Sequence, residues 1–407
     1  MGPAGRPLEG LRVLDLTQVV SGAVATMLMA DFGAEVLKIE PPTGEAYRNS
    51  GFTLENEGES TNLNILRWSR GKKSVALDLK SEEGRSILRR LVATADVLVE
   101  NFRPGVLERL GLDIATLKES RPDLIYVTVS GFGHDDLFPA PYRDRPAYAI
   151  ISEAMAGLTN LAGDRAGPPV WMGFAMADIF AGTLAFAGSL LALLDRAGHP
   201  NGRRVDISMY DGSLFMNDLA LILQTAVGET LGGGQYLLQS PWGPFRARDG
   251  HFVIAVLVER QWHALCAVIE RPDLAADENL AAGRDRSRLH DELVKPAISA
   301  WCGTRGKEEC AELLLAGGVP AAPVNTTRDL LDCPQLLARQ MLVDVEAPVI
   351  GQARVVGNPI KLDGPAVDGA ATAIPRLGEH TRAVLRTVLE IDETELDELQ
   401  RVGAIVV

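Results

Sequence analysis

Strand-like and helical stretches alternate along residues 11–130, and that alternation restricts the fold more than any other feature of the chain. Leu11–Leu16 (LRVLDL) reads as a short strand. After a turn at Thr17–Ser21 the pattern becomes helical over Gly22–Asp31, with Gly33 placed to stop the helix. Glu35–Ile39 (EVLKI) is the next strand, halted by Pro41 and Pro42. The pattern repeats: strand at Ser74–Leu79, helix at Ser81–Ala95, strands at Asp96–Glu100 and Leu124–Val129. Parallel strands joined by helical crossovers predict an α/β, Rossmann-like doubly wound sheet. Ligands of such sheets collect beyond the carboxyl ends of the strands. The loops there are Thr17–Ser21, Asn101–Gly105 and Ser130–Gly133.

At 407 residues the chain is long for a single core. The expected division is a large ligand-binding α/β domain over 1–225, a smaller α+β domain over 226–330, and a return to the large domain over 331–407. Composition changes near Gly232–Gly234. Phe245–Val256 then reads as a hairpin around Asp249-Gly250, followed by helices from Gln261 to Pro323. The tail offers a strand-like Val355–Leu362 and a helix near His380–Leu389.

Several function classes drop out. A net charge of −14 argues against nucleic acid, whose phosphates require clustered cations. The apolar run Ile179–Leu194, interrupted by Gly182, Thr183, Gly188 and Ser189, is short for a bilayer core of about 30 Å and reads as a buried helix, so no membrane association is expected. The N-terminus lacks a signal-peptide core. Four cysteines and six histidines form neither a disulfide framework nor a metal-binding spacing. A cytoplasmic protein without metal is the expectation. Nucleotide signatures fail too: position 66 is Leu where a P-loop ahead of Gly71 needs Gly, and position 136 is Asp where Gly131-Phe132-Gly133 would need its third glycine.

Asp178 is the only charge between Ala166 and Leu194. It reads either as the N-cap of the following helix or as a carboxylate presented from a dry site, ionised by the helix terminus and available as a nucleophile. The residue types leave both readings open. Arg67, Arg70, Lys72 and Lys73 read as a basic surface cluster, able at most to steer an anion.

Nine segments in order carry a wider pattern: Leu8–Gly22, Asp31–Pro42, Trp68–Arg85, Ala95–Leu112, Ile125–Gly133, Ala175–Arg196, Ala247–Val256, Gly318–Asn325 and Leu377–Leu385. Together they resemble the family III CoA-transferases, a group that includes formyl-CoA, carnitine and bile-acid CoA-transferases and the α-methylacyl-CoA racemases. The resemblance implies an enzyme with Asp178 as catalytic carboxylate, passing through an acyl-aspartyl anhydride and an aspartyl-CoA thioester. It implies coenzyme A and acyl-CoA as substrates, no tightly bound cofactor, and an interlocked homodimer in which each small domain covers the partner's site. Matching positions assign CoA contacts to Val19, Val20, Ser21, Leu77, Lys80, Asn101, Phe102 and Arg109, and a phosphate contact to Arg145. Tyr148, Gly233, Gly234 and Trp242 are assigned to the substrate side.

Departures from the family pattern bear on specificity. Val20 stands where formyl-CoA transferases carry Gln, and Ala149 where the family often has Asp or Glu after the tyrosine of RPxY. Phe174, Met176 and Trp242 tilt the acceptor towards a medium or branched carboxylic acid rather than formate. Two other functions fit the resemblance. A racemase needs paired acid and base, but Tyr148 takes the place of the racemase histidine, and a phenol with a pKa of about 10 is a poor base. A non-catalytic acyl-CoA-binding protein is the other.

Overall fold

The computed structural model describes residues 5–56, 59–163, 167–233, 239–363 and 373–407. A seven-stranded sheet organises the larger of two compact units. Its strands are β1 (Arg12–Asp15), β2 (Glu35–Glu40), β3 (Lys72–Leu77), β4 (Val97–Glu100), β5 (Ile125–Ser130), β6 (Arg204–Ser208) and β7 (Ile405–Val406), in the spatial order β7-β3-β2-β1-β4-β5-β6. All pairings are parallel except that of β7, which runs antiparallel on the β3 edge. Successive strands step outward from β1 in one direction and, from β4, in the other. The reversal lies between β1 and β4, so the open crevice of the doubly wound sheet falls where Thr17–Ser21 and Asn101–Gly105 emerge.

The strand alternation sorts side chains into two cores. Val13, Val36, Val97, Val99 and Val127 face one layer, with helix α1 (Ser21–Asp31) packed there. Leu14, Leu37, Leu98 and Tyr126 face the other. Successive residues of a strand point to opposite faces, and both faces are covered, which is why these strands are continuously apolar.

Helix α3 (Met176–Leu194) lies against α1, following the short helix α2 (Ala149–Met155). Glycine permits that contact. A Cβ on Gly182 would stand 2.2 Å from the Ser21 carbonyl oxygen and 2.6 Å from Val24 Cβ. Gly182→Val therefore forces the two helices apart. The expected cost is roughly 1–3 kcal/mol, read as a lowered urea midpoint, and an unchanged midpoint would show that the contact can yield.

Only one face of α3 is buried. Ala177, Ala181, Gly182, Ala185, Phe186, Ser189 and Ala192 are enclosed, whereas Leu191 and Leu194 are 67% and 83% exposed. The expected fully buried helix is thus corrected. The helix passes the length and hydropathy test for a membrane span, but its buried face belongs to the core of the large unit.

The larger unit comprises Met1–Leu158, Gly173–Asp218 and Gln335–Val407, the other Thr159–Met172 and Leu219–Pro334. The second unit therefore starts earlier than residue 226, ends later than 330, and takes in residues 159–172. It holds a three-stranded sheet of Trp242–Arg246, His251–Ala255 and Ala321–Pro323. Around it pack helices that include Glu259–Val268, Lys295–Cys302 and Lys307–Ala316. In the tail, the strand expected at Val355–Leu362 lies instead at Gly351–Val356, paired with Leu342–Ala347. The helix at Thr381–Leu389 is followed by a further helix, Glu393–Arg401, and by β7.

Of the basic cluster expected on the surface, Lys73 is part-exposed and paired with Glu35, but two members are not at the surface. Arg70 and Lys72 are buried. Arg70 grips Asp31 through Nε and Nη2 at 3.0 and 2.7 Å. Lys72 Nζ donates to Asp15 Oδ2 and to Thr26 Oγ1, both at 2.8 Å. Neither cation could remain inside without such a partner.

Candidate active site

The site is built outward from the carboxyl end of β1. Asp15 is fully buried and accepts hydrogen bonds from the Thr17 N–H and hydroxyl, from Thr26 and from Lys72. Burial alone would raise its pKa, but the charges of Lys38 and Lys72 with these hydrogen bonds reverse that and hold it far below the usual carboxylate range. Lys38, also buried, donates to the Thr17 carbonyl at 2.8 Å. Residue 17 is thereby fixed from both sides, and with it the start of the loop.

Val19 occupies the left-handed region at φ 66°, a conformation costly for a β-branched residue. Glu45 holds it there: its Oε2 accepts the Val19 N–H at 3.1 Å and also the Tyr47 N–H. Asn101, arriving from β4, closes the other side. Its Oδ1 accepts the Gln18 N–H at 2.7 Å, while its Nδ2 donates to the Gln18 carbonyl and to Ser21 Oγ. Two of the three strand-end loops chosen from the sequence, Thr17–Ser21 and Asn101–Gly105, are thus one hydrogen-bonded structure at the switch point.

Asp178 lies in the first turn of α3. It is not the N-cap: Ala175 occupies that position, and its own side chain makes no capping hydrogen bond. Asp178 is one helical turn before Gly182, on the same face, and Gly182 abuts Ser21. Ala175, Ile179, Val19, Tyr47 and Trp68 pack against the same core. Burial and the neighbouring Glu153 carboxylate push Asp178 up to about 6, against the pull of Arg67. The carboxylate is thus more basic than an ordinary aspartate, yet it is still largely ionised at neutral pH. None of the described residues donates a hydrogen bond to the carboxylate.

Glu153, on α2, is 2% exposed. Its Oε1 accepts the Ala177 N–H at 3.1 Å, satisfying one of the amides that a helix start leaves open. Arg67 is half-buried and acts electrostatically on both Tyr47 and Asp178. Sequence reading missed Glu153, Glu45 and Tyr47, and left Arg67 on the surface.

The remaining assigned residues divide. Val20 is 1% exposed, and its side chain is in the core at the N-cap of α1. Leu77 is wholly enclosed, with its backbone paired to Ile405. Both side chains belong to the core, so what these positions offer a ligand is backbone. Phe102 is half-buried against the second core. Lys80, Arg109 and Arg145 are exposed, Arg145 stacking 3.7 Å over the Tyr142 ring. Tyr148 is 69% exposed at the N-cap of α2. In the second unit Gly233 donates to the Asn160 carbonyl, and Trp242 opens a strand at 40% exposure. Gly234 lies outside the described residues.

Known proteins share this arrangement from end to end. The chain is 38% identical over 384 residues to a succinyl-CoA:mesaconate CoA-transferase of Haloarcula hispanica, covering 93% of this chain and 95% of that one. It is 32% identical over 423 residues to a formyl-CoA:oxalate CoA-transferase of Streptomyces avermitilis, covering 98% and 100%. A crystal structure of a CAIB/BAIF family protein from Brucella suis superposes with a TM-score of 0.84 at 30% identity, over 95% of this chain and 100% of that one. The family description CoA-transferase family III matches residues 8–381, and the chain with the switch-point loop and Asp178 described above belongs to that family of CoA-transferases.

Proposed function

We propose that Asp178 carries first the acyl group and then CoA between a donor acyl-CoA and an acceptor carboxylic acid. The observation that carries the reading is a carboxylate with no hydrogen-bond donor among the described residues, made more basic by burial, one turn from the helix contact with Ser21. A carboxylate of higher proton affinity is a better nucleophile, provided it remains ionised at working pH.

The Asp178 oxygen attacks the thioester carbonyl carbon. The C–S bond breaks and its electron pair leaves on sulfur, giving an acyl-aspartyl anhydride and CoA thiolate. The thiolate then attacks Cγ of Asp178, the bond to the donor oxygen breaks, and the donor leaves as a carboxylate. The acceptor carboxylate runs both steps in reverse on the aspartyl-CoA thioester. No water, proton or electron is consumed, so excluding water conserves the thioester's free energy. The loop at Val19–Ser21, rigid before any ligand arrives, provides backbone for binding CoA without an ordering cost.

The relatives above are named for the pairs succinyl-CoA and mesaconate and formyl-CoA and oxalate, so each name includes a free dicarboxylic acid, whereas only one of the two CoA esters derives from one. We extend that class to this chain, in preference to a medium or branched acid, with Arg67 as the cation near Asp178 for the second carboxylate. The protein functions as a homodimer in this reading. Support comes from the apolar side chains that the large unit leaves in solvent, Leu191, Leu194 and Phe215 among them.

Trapping tests the covalent route. The protein is incubated with succinyl-CoA and a panel of other acyl-CoA donors, quenched with hydroxylamine and mapped by mass spectrometry. A hydroxamate on Asp178 is expected. No adduct with any donor, together with deuterium entering the α-carbon of a 2-methylacyl-CoA, would replace the transferase reading with a racemase.

A further inference from the structure

Glu153 has no role in the covalent route, yet it is among the few buried carboxylates of the large unit and it acts directly on the start of α3. Its helix is arranged against expectation. Ala149, Ser152 and Glu153 are buried, while Ile150, Ile151 and Met155 are exposed. A helix that hides a carboxylate and shows its aliphatic residues gains nothing from burial, because removing a charge from water is costly. The position therefore has a task that apolar packing would not perform.

We propose that Glu153 is the positioning residue for the nucleophile: by accepting the Ala177 N–H it fixes the first turn of α3, and its negative charge stands beside Asp178, raising that carboxylate's affinity for electrophiles. The proposal rests on the assignment of Asp178 as nucleophile. The hydrogen bond gives the first half by geometry, and it places the charge of the second half at the start of the same helix. The hydrogen bond of 3.1 Å joins Glu153 to the residue immediately before Asp178, so the carboxylate that orients the turn also lies within electrostatic reach of the nucleophile. A like charge nearby raises the proton affinity of a carboxylate.

Other groups facing Asp178 work in different directions. Arg67, from the helix Ile65–Trp68, lowers its proton affinity. The Tyr47 phenol, from the helix Ala46–Asn49, is itself pushed up by burial and is neutral at working pH. Helix Met209–Phe215, also packed on α3, carries Asp211, which is exposed. Helix α1 contributes Ser21 and no charge at this end. Among these described groups Glu153 is the one that adds negative charge at Asp178.

Glu153→Gln separates the two halves, because the amide oxygen can still accept the Ala177 N–H while the charge is gone. In Glu153→Gln the acid limb of the kcat/KM profile for CoA transfer is expected to move down by about one pH unit, with KM near that of the wild type. Glu153→Ala loses both halves, and its kcat is expected to fall by about 100-fold with a small change in KM. Should the alanine variant fail to fold, the glutamine variant alone decides. A direct readout is the titration of Asp178 by carboxyl carbon NMR on aspartate-labelled protein, assigned with Asp178→Asn. Its midpoint is expected to fall in Glu153→Gln. A midpoint and an acid limb that both superpose on those of the wild type would overturn the proposal. If the wild type transfers no CoA and traps no adduct, the function proposed above fails, while the NMR titration still reports whether Glu153 acts on Asp178.

Discussion

Asp178→Ala is expected to lower CoA transfer by on the order of 10⁴-fold or more, because the route has no second group to carry the acyl fragment. Acyl-CoA affinity is expected to stay within about tenfold of wild type, or about 1.4 kcal/mol, since the loop at Val19–Ser21 and the Asn101 pin do not depend on that side chain. Initial rates with succinyl-CoA and equilibrium binding of CoA, measured on the same preparation, separate the two quantities. A variant that binds and does not transfer supports the anhydride route. Retention of more than about a tenth of the rate would remove Asp178 from its assigned role and would leave the strand-end loop without a covalent partner.

The second large effect concerns stability. Asp15 is the one carboxylate hydrogen-bonded to Lys72, and it also faces Lys38. Asp15→Asn leaves two buried ammonium groups short of a counter-charge, a change expected to cost about 3–5 kcal/mol and to lower the urea midpoint accordingly. The pH dependence carries a definite sign. In the native chain burial, together with Lys38, already pushes Lys72 down to about 8 although Asp15 opposes the shift. Without Asp15 it falls further. The folded variant then binds fewer protons than the unfolded chain from pH 8, or below, up to about 10.5, the usual lysine value. The native chain has the same gap above pH 8, so relative to wild type the stability of the variant rises with pH only below about 8, between its own Lys72 pKa and the native one. A deficit that does not shrink as pH rises towards 8 would contradict this account. Lys38 is less affected, because Glu40 and Glu45 also raise its pKa.

These two residues show how unevenly the sequence exposes its structure. The sheet was legible, because β1 through β6 are short apolar runs bounded by turn residues, and periodicity reports such runs directly. The strand-end loops followed from the alternation of elements, but which of them flank the crevice required the spatial order of the strands. Asp178 stood out because nothing else charged surrounds it. Lys72 and Arg70 could not be placed, since their partners Asp15 and Asp31 are 57 and 39 residues away and a cation in a GKKS string looks solvated in any local window. Glu153 was hidden for a related reason. Its neighbours Ile150 and Ile151 suggest that the apolar face of α2 is the inner one, and the structure inverts it. Helix polarity of that kind is decided by what packs outside the helix, which a single chain's periodicity does not contain.

The edge strand β7 has a consequence for biogenesis. Residues 405–406 complete a sheet whose neighbouring strand ends at Leu77, so more than 300 residues are synthesised before that edge is covered. On the ribosome, the nascent large unit presents β3 as an open edge, a template for pairing with other chains. Residues 219–334 form most of the second unit and emerge in one stretch. The residues of the second unit are therefore all synthesised before the sheet of the large unit can be completed, and the time for which that edge stays open is set by the time taken to translate the tail.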